Sequence, residues 1–204
     1  MKLVAVSAGL STPSSTRLLA DRLAESARGE LAAQGHDVDT EVIELRELAV
    51  AVANNLVTGF PSPPLAAAID TVTGAHGLIT VTPVFSASYS GLFKSFFDLI
   101  DPDALTGKPV LVAATGGTAR HSLVLEHALR PLFAYLRAAV LPTAVYAASE
   151  DWGSGGDEYT EGLPARIRRA GGELATLMAA RPAEETPKDD ITALERQLSD
   201  LRFD

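Results

Sequence analysis

Cysteine is absent from the 204 residues. Disulfides, thiolate nucleophiles, iron–sulfur clusters and cysteine-ligated zinc are therefore excluded. Positive charge is scarce: 17 Lys and Arg stand against 26 Asp and Glu, a formal net charge of −9. That balance argues against non-specific binding to nucleic acid or an anionic membrane, although a small phosphorylated molecule needs only local donors. No window approaches the roughly 18 consecutive apolar residues of a membrane span. The start, Met1 to Ser7, carries one charge and too short an apolar run for a secretory signal. The expectation is a cytoplasmic protein that meets neither nucleic acid nor membrane. Two nucleotide-binding signatures are missing as well: neither GxGxxG nor a glycine-rich loop ending in Gly-Lys-Ser/Thr occurs. Asp98 and Asp101 are spaced as helix neighbours but have no further ligands beside them, so no metal site is expected.

What is present is a large apolar complement, 47% of residues, enough for one packed domain. Leu3–Ala8 is a continuous apolar run of the kind buried on both faces of a sheet. Ala20, Leu23, Ala27 and Leu31 then recur at helical spacing, and Gly35 closes that helix. Val38–Leu45 reads as a second strand, with its acidic residues suggesting an edge. Arg46–Pro64, with Asn54-Asn55, Gly59 and its prolines, reads as a long irregular stretch. Leu65–Gly74 reads as a helix and Gly77–Pro83 as the central strand. After Ser90 come Leu92, Phe93, Phe96, Phe97, Leu99 and Ile100, a helix ending near Pro102. Val110–Ala114 is the fourth strand, Arg120–Arg137 a helix, and Val140–Ala147 the fifth strand, placed towards an edge by Pro142. Ser149–Tyr159 reads as a loop. Leu163, Ile167, Ala170, Leu174 and Leu177 mark the last domain helix.

Strands alternating with helices in this way define an α/β fold. The expectation is a flavodoxin-like, doubly wound, five-stranded parallel sheet of order 2-1-3-4-5, with its switch point between strands one and three. Residues 1–180 form that domain. Residues 181–204 read as a charged linker followed by a short amphipathic helix carrying Ile191, Leu194, Leu198 and Leu201.

Ligands of such sheets bind at the carboxyl ends of the strands. Three turns there are rich in Ser, Thr and Gly. The first, Ser7 to Arg17, leaves a strand and enters a helix, so free N–H groups and the hydroxyls of Ser11, Ser14, Ser15 and Thr16 suit a phosphate monoester. The same residues would serve equally as ordinary helix caps. The second, Pro83-Val84-Phe85-Ser86 and onward to Gly91, offers backbone donors and an aromatic wall. The third, Thr115-Gly116-Gly117-Thr118, offers backbone unobstructed by side chains. Together they describe a slot for a phosphorylated planar heterocycle.

The segments TPVFSASYSGLFKSFFDLI and ATGGTARHSLVLEHALRPLF closely resemble the NAD(P)H-dependent FMN reductases of two-component systems, in particular those serving alkanesulfonate-type, luciferase-like monooxygenases. The resemblance extends over about residues 1–148. It implies hydride transfer from NADPH or NADH to FMN, delivery of reduced FMN to a partner monooxygenase, and a homodimer or homotetramer. It implies that Ser11, Ser14, Ser15 and Thr16 hold the phosphate. Pro83, Val84, Phe85 and Ser86 would lie beside the isoalloxazine, with Thr115, Gly116 and Gly117 at its other edge. No catalytic acid or nucleophile is implied. The chain departs from the family pattern in lacking an arginine near Ser11, in Phe85 where tyrosine is usual, and in His127 where the sulfonate-linked reductases carry a tyrosine in an irregular helical turn. Pro131 has no N–H, so the His127 carbonyl loses its partner one turn on and the helix should bulge there. His127 is accordingly a candidate modulator near the flavin or a subunit contact. Two other readings are a tight-FMN flavoprotein reducing quinones, azo compounds or metal oxyanions, and a flavodoxin-type electron-transfer module.

Overall fold

Alternation within the first strand sets the layers. In a computed structural model describing residues 1–153 and 162–181, β1 (Lys2–Ser7) points Leu3 and Ala5 to one face, and Val4 and Val6 to the other. β1 pairs in parallel with β2 (Asp39–Glu44) on one side and with β3 (Gly77–Phe85) on the other. β3 carries on to β5 (Pro109–Gly116), with Leu78 opposite Val110 and Pro83 opposite Thr115. Beyond β5 lie β6 (Ala139–Val140) at its start and β7 (Val145–Ala148) at its end, both parallel to it. The order along the sheet is the expected flavodoxin-like one. Its last strand is interrupted at Pro142, which has no N–H to give a ladder. A two-residue strand β4 (Ser88–Tyr89) folds back antiparallel on the end of β3.

One face is covered by α1 (Ser15–Ala33) and α6 (Leu163–Ala180). Leu19, Leu23 and Leu31 from the first, and Ile167, Leu174 and Met178 from the second, are buried against Leu3, Ile79 and Leu111. At Gly171 a Cβ would collide with the Ser26 side chain, so this glycine sets the close approach of the two helices. The other face carries α2 (Leu45–Thr58), α3 (Pro63–Thr73), α4 (Gly91–Phe97) and α5 (Arg130–Tyr135). Here Phe93 and Phe97 lie 4.7 Å apart by ring centroids, and Phe97 and Phe133 4.9 Å. Aromatic pairs of this kind add about 0.5–1.5 kcal/mol each beyond their burial.

Three sequence expectations need correction. Residues 46–64 are not mainly irregular, since α2 occupies most of them. Leu45 and Val52 are buried, Leu48 and Ala51 pack against the core, and Gly59 ends the helix at φ 77°. The central strand expected to end at Pro83 runs on to Phe85, and the turn after it is a tight hairpin, with Ser86 and Ala87 at φ 47° and 67°. The helix expected over 120–137 is three pieces: a 3₁₀ turn at Ala119–His121, a π turn at Leu125–Leu129, and α5. The bulge falls where Pro131 predicted it, with the Arg130 N–H reaching back five residues to the Leu125 carbonyl. The expected linker and terminal helix at 182–204, and residues 154–161 of the expected loop, lie outside the described residues. Among the described residues no helix is long and apolar enough to cross a membrane.

Candidate active site

The three turns meet at the carboxyl ends of β1, β3 and β5. The first begins where the Ala8 N–H donates to the Val81 carbonyl at 2.9 Å. Gly9 follows, and a Cβ on it would strike Ser14 Oγ. Ser14 is the N-cap of α1, its Oγ accepting from the Arg17 N–H at 3.2 Å. The N–H groups of Ser15 and Thr16 then have no carbonyl a turn earlier to reach, and they open towards the turn. No acidic side chain occupies the first turn of this helix, so its positive end is unneutralised.

Thr82 organises the second turn. Its Oγ1 accepts from the Ser90 N–H at 3.0 Å and donates to the Pro83 carbonyl at 2.9 Å, tying the hairpin to its own base. Ser90 caps α4 by accepting from the Phe93 N–H at 3.1 Å. Tyr146 organises the third. Its hydroxyl donates to the Thr118 carbonyl at 2.8 Å, and a Cβ on Gly116 would collide with it. Burial, then the charges of Asp151 and Glu150, push the Tyr146 phenol above its ordinary pKa, which keeps it a neutral donor. The first and third turns are joined directly: Thr16 Oγ1 and Thr115 Oγ1 share a buried hydrogen bond of 2.8 Å.

Between the turns lies a cleft of about 470 Å³. Ser11 and Ser15 line it from the first turn, Pro83, Val84 and Phe85 from the second, and Thr115, Gly116 and Gly117 from the third. The other expected residues are placed differently. Ser14 serves as the cap, the Thr16 hydroxyl is committed to Thr115, and Ser86 stands at the hairpin tip; none of the three lines the cleft. Leu10, Ser149 and Trp152 were missed, and they complete the wall. Trp152 lies in the stretch read as a loop, and it follows the last strand. The rule that placed the other turns at strand ends applied there too. Asp151 fixes this fourth segment by accepting from the Ala148 N–H at 2.7 Å and from Arg166.

The groups present fit FMN. Ser7 Oγ, at the end of β1 where the first turn begins, is buried without a partner among the described residues. No carboxylate among the described residues lines the cleft. Gly117 has open space where a Cβ would be, leaving its backbone accessible. His127 is elsewhere. It lines a second cleft of about 630 Å³ between α4 and the π turn, with Tyr89, Lys94, Asp98 and Tyr135.

A doubly wound sheet with a hydroxyl- and glycine-rich cleft at its switch point, and no acid–base dyad among the described residues that line it, defines a protein that leaves the chemistry to a bound phosphorylated cofactor or substrate. The sequence matches the model of the NADPH-dependent FMN reductase family over residues 1–153, and the chain belongs to that family. It is 43% identical to an FMN reductase (NADPH) of Pseudomonas aeruginosa, over 88% of this chain and 94% of the relative. It is 40% identical to the NADH-dependent FMN reductase SfnF of Pseudomonas fluorescens, over 87% and 91%. The solved structure of an oxidoreductase from Corynebacterium diphtheriae superposes with a TM-score of 0.84 at 48% identity, covering 89% of this chain and 98% of that one. The chain is thus an NAD(P)H:FMN oxidoreductase of flavodoxin-like fold.

Proposed function

We propose that this reductase handles FMN as an exchangeable substrate and delivers it, reduced by NAD(P)H, to a flavin-dependent monooxygenase partner in the cytoplasm. The observation that carries the reading is the mouth of the cleft. Its walls are short turns at the carboxyl ends of the strands. Leu10 and Phe85, 53% and 46% exposed, stand at its rim. A flavin held there enters and leaves without a domain having to move, and the apolar rim is available to a recipient protein.

Within the cleft, the Ser15 and Thr16 N–H groups and the Ser11 and Ser15 hydroxyls would hold the phosphate. Pro83, Val84 and Phe85 would wall one side of the ring, and Thr115, Gly116 and Gly117 would meet its edge with backbone. Bound FMN supplies the hydride-accepting ring. The protein supplies orientation, excludes water on the walled side, and sets N–H groups where negative charge develops on reduction. The partner, and assembly as a homodimer or homotetramer, rest on the resemblance of the 82–100 and 114–133 segments to the reductases of two-component systems. NADPH and NADH both remain candidates, since the relatives divide between them.

The test is a visible spectrum before and after desalting, followed by NADPH and NADH oxidation with and without added FMN. Colour lost on desalting, with oxidation that depends on added FMN, supports the substrate reading. Flavin retained, with turnover only on a quinone, azo compound or metal oxyanion, overturns it in favour of a tight-flavin enzyme. Light scattering on the same sample tests the assembly.

A further inference from the structure

The first turn has to receive a dianion, yet residues 10–16 contain no Lys or Arg. Arg17 follows, but two carboxylates engage it: Asp21 at 2.8 Å and Glu44 at 2.6 Å. The Asp21 hydrogen bond, then the charges of Asp21 and Glu44, hold the Arg17 guanidinium above its ordinary pKa. The other cation at the turn comes from thirty-odd residues along the chain. β2 runs beside β1 so that Glu44 pairs in register with Ser7, and this brings Arg46, at the start of α2, to the same end of the sheet. Arg46 Nη1 donates to the Ser11 carbonyl at 3.3 Å and to Thr12 Oγ1, while its Nε lies 3.1 Å from Glu44 Oε2. Ser11 is itself a cleft residue. Among the described residues Nη2 has no hydrogen-bond acceptor. Glu44, its side chain only 15% exposed, bridges Arg17 and Arg46.

We infer that Arg46 is the cation of the phosphate turn, and that it sets the preference of the cleft for FMN over unphosphorylated riboflavin. The Arg17–Glu44–Arg46 chain orients the guanidinium from one side, and the Ser11 carbonyl and Thr12 hydroxyl from the other. A charge-assisted contact of this kind accounts for roughly ten- to hundred-fold in affinity. The inference rests on the reading that the first turn holds the phosphate.

The experiment measures FMN and riboflavin binding by flavin fluorescence for the wild type, R46M and R46K at several salt concentrations, with circular dichroism confirming the fold. Glu44 keeps Arg17 as a partner when Arg46 is replaced, so the variants should fold. The expected result is a wild type that prefers FMN, with affinity falling as salt rises. R46M should lose roughly tenfold or more of that preference and most of the salt dependence, with R46K between the two and riboflavin binding unchanged throughout. A wild-type preference that R46M retains overturns the inference and leaves the phosphate reading standing. A loss of FMN affinity in R46M with the salt dependence intact overturns it too, since Arg46 would then only brace the turn. A wild type that binds both flavins equally overturns the phosphate reading and the inference with it.

Discussion

Replacing Thr16 by Val tests how the first and third turns are held together. Its Oγ1 lies 2.8 Å from Thr115 Oγ1, and the two residues are 3% and 4% exposed. Valine keeps the shape but removes one hydroxyl, which leaves the Thr115 hydroxyl buried with nothing to bond. That costs about 1–3 kcal/mol. For a chain of this size each kcal/mol moves Tm by about 2–4 °C. T16V should therefore melt about 2–12 °C below the wild type, and T115V should do the same for the mirror-image reason. Removing both hydroxyls leaves two apolar methyl faces in contact, which is close to neutral. The double variant should melt above either single one, with a coupling energy on the order of 0.5–3 kcal/mol. Thermal unfolding of all four flavin-free proteins by circular dichroism reads the cycle. A double variant that loses the sum of the two single losses would refute the argument, because the hydroxyls would then be acting on separate partners.

Gly116→Ala should push Tyr146 off the Thr118 carbonyl and weaken FMN binding by roughly tenfold or more in a fluorescence titration; unchanged affinity would show that the third turn tolerates the displacement. The raised pKa of Tyr146 predicts a stability contribution that is fully present below about pH 10, where the unfolded phenol titrates, and is lost as pH rises through the higher folded value. Tyr146→Phe should start about 0.5–1.5 kcal/mol less stable and lack that alkaline decline, and parallel curves for the two proteins in denaturant titrations would contradict the assignment. His127→Ala should weaken self-association while leaving FMN affinity intact, since His127 lines the second cleft and not the one proposed to hold the flavin. Light scattering with no change in mass would remove His127 from any subunit contact.

The parallel sheet was legible because β1, β3 and β5 are buried on both faces and read as largely apolar runs, broken in β3 by Thr80 and Thr82. The helix α2 was not, although Leu45, Leu48 and Val52 do recur at helical spacing. Val50 and Val57 are 75% and 87% exposed, so apolar residues on its outer face blur the stripe. The asparagines and following prolines pointed to a loop, when Asn54 and Asn55 lie in the last turns of α2, Pro61 in the turn after it, and Pro63 and Pro64 open α3. The π turn was legible from one residue, Pro131, because a missing N–H has a local consequence whatever surrounds it. In the site, residues whose backbone faces the cleft were found from turn composition. Thr16 and Ser86 were assigned by type, and their placement depended on tertiary partners and backbone geometry that composition does not encode. Trp152 was missed although Ser149, Gly153, Ser154, Gly155 and Gly156 mark that strand end much as the other three are marked, because the stretch reads as a plain loop.

The Thr16–Thr115 bond spans 99 residues of sequence. A ribosome adding about 5–20 residues per second takes roughly 5–20 s to cover that distance. For all of that time the first turn of the nascent chain is exposed without the neighbour that locks it, and β3 waits for β5 to cover its free edge. The cleft proposed to hold the flavin is therefore finished late in synthesis, after the Trp152 segment has emerged. A chain cut short between β5 and that point carries the first three turns but lacks the Ser149 and Trp152 wall.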